Sequence, residues 1–249
     1  MDQVAIVTGA GSGIGKACAQ ALIQEGWSVV LTGRHLQTLQ AAIDEVSGSS
    51  QRAVAMACDV GDEAAVKALF AQTVSRFGRL DLLFNNAGIS PKASTPDELP
   101  GDEWRQCVNT NLNGMFYCLA AAFGVMRHQT PRGGRIINNG SISASAPRPG
   151  SIAYTATKHA VSGLTKTASL DGRAFDIAVG QIDIGNVASD MTLKMAQGVP
   201  QADGSIRAEP RMDMQAVVST FMGMVRLPLS ANVLFTTVMA TNMPYVGRG

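Results

Sequence analysis

Val4-Ala-Ile-Val-Thr-Gly-Ala-Gly-Ser-Gly-Ile-Gly15 decides the fold. Residues 4–7 form a short, wholly apolar, largely β-branched run. Such a run suits a strand buried on both faces, as in a parallel sheet. Gly9, Gly13 and Gly15 follow at once, spaced G-x-x-x-G-x-G rather than G-x-G-x-x-G. Glycine lets the backbone turn sharply and approach a pyrophosphate, and a helix N-terminus favours that charge. A helix should follow, with Ile14, Ala17, Cys18, Ala21 and Leu22 on one face and Gly26 as its stop.

Working outward, further strands are predicted over 27–32, 53–57, 80–84, 135–139, 175–182 and 233–238. Helices are predicted over 36–46, 102–126 and 153–170. Another buries Val66, Leu69, Phe70 and Phe77, and a short one ends near Arg226. Residues 185–210 read as irregular. Alternating strands and helices imply right-handed crossovers. The expected fold is therefore α/β: one domain over 1–249, a Rossmann-type doubly wound parallel sheet of about seven strands with helices on both faces. Ligands of such sheets lie beyond the carboxyl ends of the strands. The glycine loop, residues 85–88, Ser141 and Gly185 all fall just after predicted strands, so they should share one edge.

Composition narrows the function. The chain has 249 residues, is 46% hydrophobic and 16% charged, and can build a large core. A net charge of +1 without a basic run argues against nucleic acid or an anionic membrane as partner. The cysteines, Cys18, Cys58, Cys107 and Cys118, show no metal or C-x-x-C spacing, which suits free thiols in a reducing cytoplasm. The N-terminus does not read as a signal peptide, and the most apolar run, 115–126, is too short to cross a bilayer. His35, His128 and His159 are scattered, and no metal constellation is expected.

Tyr154 and Lys158 stand four apart on a predicted helix, hence on one face, 13 residues beyond Ser141. A phenol of pKa about 10 is a poor proton carrier at neutral pH. A neighbouring ammonium favours the phenolate and lowers that pKa. A phenol so tuned can exchange a proton with a substrate oxygen. An amphipathic helix with a half-buried tyrosine and a solvated lysine would carry the same two residues.

Taken together, T-G-x-x-x-G-x-G at 8–15, N-N-A-G at 85–88, Asn111, Ser141 and Y-x-x-x-K at 154–158 resemble the short-chain dehydrogenases/reductases. The resemblance runs over essentially the whole chain to about residue 191. It implies hydride transfer between a nicotinamide dinucleotide and a carbonyl or secondary alcohol, of the 3-oxoacyl-thioester or small-ketone kind. A cofactor-binding sensor or scaffold without turnover is the alternative. By resemblance, Tyr154 is the general acid/base. Lys158 lowers its pKa and holds the nicotinamide ribose. Ser141, rather than Ser143 or Ser145, orients the substrate oxygen. Asn111, rather than Asn109 or Asn113, holds a relay water. The cofactor would lie against Gly9, Ser12, Gly13, Ile14 and Gly15, then Asp59, Val60, Asn86, Ala87 and Gly88, and finally Tyr154, Lys158, Gly185, Val187 and Ser189.

The second strand ends Leu31-Thr-Gly-Arg34. Where NAD-preferring relatives usually carry aspartate, this chain has Gly33. Arg34 could pair with a 2′-phosphate, so NADP(H) is favoured over NAD(H). Residue 184 is isoleucine where the family usually has proline. Residues 186–211 would cover the substrate, with Met191, Leu193, Met195 and Val199 supplying apolar surface. The tail over 239–249 holds Met239, Met243, Pro244 and Tyr245, and such an apolar end suggests burial in a neighbouring subunit of a homo-oligomer, a tetramer or dimer.

Overall fold

The computed structural model describes residues 3–46, 52–189, 192 and 198–246. Its strands are β1 (Val4–Thr8), β2 (Ser28–Gly33), β3 (Ala53–Ala57), β4 (Leu82–Asn85), β5 (Gly134–Asn139), β6 (Ile177–Ile184), β7 (Val199–Pro200), β8 (Ile206–Arg207) and β9 (Phe235–Val238). The helices are α1 (Gly13–Gln24), α2 (Leu36–Asp44), α3 (Glu63–Phe77), α4 (Gly101–Val108), α5 (Gly114–His128), α6 (Ile152–Gly172) and α7 (Met214–Val225).

Seven strands make one parallel sheet in the order β3-β2-β1-β4-β5-β6-β9. Their alternating side chains feed two separate cores. Ala5, Val7, Leu82, Phe84 and Ile182 face α1, α2 and α7. Ile6, Leu83, Ile136 and Val179 face α3, α5 and α6. Phe84 closes the first core against Phe221 of α7, ring centroids 4.5 Å apart. Both sheet faces are buried, which is why the strands read as continuous apolar runs. The strand order reverses between β1 and β4, and the crevice there opens at the carboxyl ends of the strands.

Several predicted boundaries shift, each for a local reason. Leu80 is not in β4, because its N–H and carbonyl are both taken by the Gln129 amide. Phe175 closes a 3-10 turn, and Asp176 takes the left-handed conformation (φ 58°) before β6 begins. The single helix expected over 102–126 is two helices joined by a π turn at Asn109–Asn113. The segment expected to be irregular contains the β7–β8 ribbon, antiparallel through Val199 and Arg207. Met191, Leu193 and Met195 lie outside the described residues. None of the described helices is long and apolar enough to cross a membrane.

Part of the apolar tail packs on its own chain. Met243 is buried within its own chain, with Ile142 and Ala240, beside Met212, Met239 and Tyr245. Tyr245 Oη lies 2.5 Å from Ser145 Oγ. Met243 thus packs over the turn that follows Ser141, while Pro244 and Val246 are exposed.

Candidate active site

The glycine loop is shaped for a phosphate. Gly9 (φ 65°) and Gly13 (φ 53°) adopt left-handed backbone, and the space above Gly13 is open. A Cβ on Gly15 would lie 2.3 Å from the Gly9 carbonyl, so the first turn of α1 packs directly on the loop. Ser12 caps α1 without a side-chain hydrogen bond, leaving first-turn N–H groups to a ligand. Asn86 braces this loop: its Nδ2 donates to Thr8 O at 2.9 Å, and its Oδ1 accepts from Asn139 Nδ2 at 2.8 Å. The Thr8 hydroxyl accepts from the Asn86 and Ala87 N–H groups. Asn86 therefore holds the glycine loop in place. Gly88 packs against Asn111.

Farther along the crevice, Arg34 and Asp59 are exposed at the ends of β2 and β3, and Val60 is buried under the glycine of α5. On the opposite side, Gly185 bonds to β9, while Val187 bridges to Met212. The Val187 carbonyl and the Ser189 N–H both engage the Thr192 hydroxyl, fixing this loop beside the crevice.

Ser141, Tyr154 and Lys158 converge where β5 meets α6. Ser141 is buried, and its Oγ accepts from Ser143 N–H at 3.1 Å. Ser145 is turned away toward Tyr245 and Ile142. The Lys158 ammonium is 2% exposed, lies 5.5 Å from the Tyr154 ring centroid, and donates to Asn139 O at 2.7 Å. Burial pulls its pKa down to about 8, against the opposing pull of Asp183. For Tyr154 the sign is not the expected one: burial raises the phenol, while Ser141 and Arg148 draw it down. In this geometry the lysine does not set the phenol; desolvation does.

Asn111 is fully buried, and its side chain is tied on several sides. Its Oδ1 accepts from Ile89 N–H and its Nδ2 donates to Ile89 O, both at 2.8 Å. Nδ2 also reaches Thr157 Oγ1 of α6 at 3.3 Å. Asn109 and Asn113 instead bond to Gly61 and to each other at the surface. The π turn brings Asn111 inward at this point, and π turns recur at functional sites. Asn111 is thus brought to the Tyr154–Lys158 helix, and its decoys are not.

A cleft of about 150 Å3 opens beside Tyr154. Pro91 and Leu99 form one wall, Pro149 and Ile152 another, and Val199 with Pro200 a third. Arg148 stands at its edge and donates to Glu209 at 2.5 Å and to Asn186 at 2.9 Å. Asn186 Nδ2 donates to the same Glu209 oxygen at 2.7 Å. This buried latch ties the β8 side of the covering loop to the start of α6. Neither Arg148 nor Glu209 could be singled out from sequence, because the charges are 61 positions apart.

A family model described as short chain dehydrogenase matches residues 3–199. The chain belongs to the short-chain dehydrogenases. The dehydrogenase is 36% identical over 217 residues to a 3beta-hydroxysteroid dehydrogenase of Mediterraneibacter gnavus, covering 86% of this chain and 76% of the relative. It is also 36% identical over 193 residues to a 3-oxoacyl-[acyl-carrier-protein] reductase of Staphylococcus aureus, covering 77% of each. Among solved structures, levodione reductase superposes with a TM-score of 0.85 at 26% identity, covering 96% of both chains. The dehydrogenase is an oxidoreductase acting on CH–OH groups with NAD(P) as acceptor.

Proposed function

We propose that this dehydrogenase reduces a compact, largely apolar ketone or 3-oxoacyl thioester, using NADP(H) in preference to NAD(H). The observation that carries the reading is Tyr154 lining a mostly apolar cleft, with the Lys158 ammonium 5.5 Å from its ring centroid. The uncapped N-terminus of α1 and the open space over Gly13 fit a dinucleotide pyrophosphate. Exposed Arg34, with no carboxylate at residue 33, supports a 2′-phosphate on the adenosine ribose. Solved structures of similar fold were determined with NADH and with NADP+, which supports a nicotinamide cofactor of either kind.

When bound, the nicotinamide supplies or accepts the hydride. The chain's own residues do the rest. Ser141 donates to the substrate oxygen and orients it. Tyr154 gives its phenolic proton to that oxygen in reduction and takes it back in oxidation. Lys158 holds the ribose and, with Asn111, resupplies the proton. The relatives named for a steroid alcohol and for an acyl-carrier thioester support a secondary alcohol or ketone as the reacting group.

NADPH and NADH oxidation against a panel of small ketones, ketosteroids and 3-oxoacyl thioesters tests this reading. Faster turnover with NADPH on one compact carbonyl supports it. Turnover with NADH alone overturns the cofactor preference, and turnover confined to sugars or other strongly polar carbonyls overturns the substrate class.

A further inference from the structure

Behind Ser141 stands a carboxylate that the reaction as described does not use. Asp183 lies in β6, a strand whose only other polar side chain is Gln181. Its Oδ1 accepts from the Ser141 N–H at 2.9 Å and from Gln181 Nε2 at 2.8 Å. The space for it is made by Gly140, since a Cβ there would lie 2.0 Å from that same oxygen. Any residue but glycine at 140 would collide with the carboxylate. The neighbouring β-strand therefore leaves a notch that the acid fills.

The notch ends a buried polar chain. Asn85 Nδ2 donates to Asn138 at 3.3 Å, Asn138 Nδ2 to Thr165 at 2.9 Å, and Thr165 Oγ1 to Gln181 at 2.9 Å. Asn138, Thr165 and Gln181 are fully buried. Each amide and hydroxyl in the run is oriented by the next, and Gln181 is left presenting N–H to Asp183. Fully satisfied buried networks of this kind hold a single geometry. Burial raises the Asp183 carboxyl, and the donors on Oδ1, with Lys158, oppose that rise in favour of the ionised acid.

We propose that Asp183 is a positioning residue of the active site: seated in the Gly140 notch, its carboxylate fixes the Ser141 backbone and sets a standing negative charge behind Tyr154 and Lys158. The proposal rests on Tyr154, Ser141 and Lys158 being the reacting group. Charges facing that pair come from three elements besides α6: Asp183 on β6, Arg148 before α6, and Cys107 on α4. Burial raises the Cys107 thiol above its ordinary value, against the pull of Thr157 and Lys158. Asp183 acts in the direction of holding Lys158 protonated. Its attraction to Lys158 exists only while the amine is charged, which ends as pH rises through about 8.

Equilibrium unfolding tests the proposal without any substrate, so its outcome is separate from that of the turnover reading. Two variants remove the charge with different packing: Asp183→Asn keeps the shape, and Asp183→Ala leaves the notch unfilled. Each is compared with wild type at about pH 6.5 and about pH 9.5. The expected result is a loss in the folding equilibrium constant about tenfold larger at the lower pH, in both variants. In a Lys158→Met background that pH dependence disappears. A loss equal at both pH values, or one that changes with pH in only one of the two variants, overturns the proposal.

Discussion

The Lys158 ammonium donates to the Asn139 carbonyl at 2.7 Å, tying the helix of the Tyr154–Lys158 pair to the end of the strand that leads to Ser141. One bond thereby sets the spacing of the proposed catalytic group, and it places a charge where water is excluded. Below the folded pKa of about 8, holding that charge indoors costs stability. Between about 8 and the ordinary lysine value of 10.5, the unfolded chain binds the proton and the folded chain does not, so stability rises with pH in that window. Wild type should therefore gain, relative to Lys158→Met, on the order of 3 kcal/mol across it. Urea unfolding of the two proteins at several pH values measures the difference.

Gly13 and Gly15 sit two positions apart and should respond differently to alanine. At Gly13 the methyl meets open space, and only the left-handed backbone resists, costing roughly 1–2 kcal/mol. Gly13→Ala should fold and bind dinucleotide more weakly. At Gly15 the methyl would collide with Gly9 O and with Asn86 Nδ2, 2.5 Å away. Gly15→Ala should displace the loop from its brace and abolish cofactor binding. Thermal melts and cofactor fluorescence titrations separate the two.

The Arg148–Glu209 latch predicts a defect at the covering loop. Their side chains are 12% and 1% exposed, so removing the carboxylate leaves a cation largely out of water. Glu209→Gln should cost about 3 kcal/mol. Because Val199 and Pro200 line the cleft, the variant should raise KM more than it lowers kcat. Hydrogen exchange should quicken over residues 198–210, with the sheet core unchanged.

Arg34 is the exposed cation at the end of β2. Arg34→Asp should weaken NADPH binding about 10- to 100-fold, the worth of one or two charge-assisted hydrogen bonds. NADH binding should hold or improve. Isothermal titration with both dinucleotides gives the ratio, and an equal loss for both would remove Arg34 from the account.

Much of this was legible in the sequence because the fold repeats one rule. Apolar β-branched runs at 4–7 and 136–137, each followed by a polar or glycine turn, gave the parallel sheet and its active edge. Tyr154 and Lys158 share a helix face, so their pairing follows from spacing alone. Other features depend on distant partners. Nothing local marks the π turn at Asn109–Asn113, which Gly114 closes against Asn109. The packing of Met243 with Ile142, beside Met212, could not be read from sequence because those residues lie far off along the chain. Asp183 lies just past the end of the strand predicted over 175–182, so its place in β6 was not anticipated. What it faces, the Gly140 notch, appears only on folding. The sign of the Tyr154 shift was also out of reach, because it turns on burial rather than on the lysine beside it.

The central claim is that Tyr154 is the group that exchanges the proton with substrate. Tyr154→Phe removes one oxygen and leaves the ring packing and Lys158 in place. On the best carbonyl substrate, kcat should fall by about 10²–10⁴-fold while cofactor affinity stays at the wild-type value. Turnover by Tyr154→Phe at the wild-type rate would contradict the account.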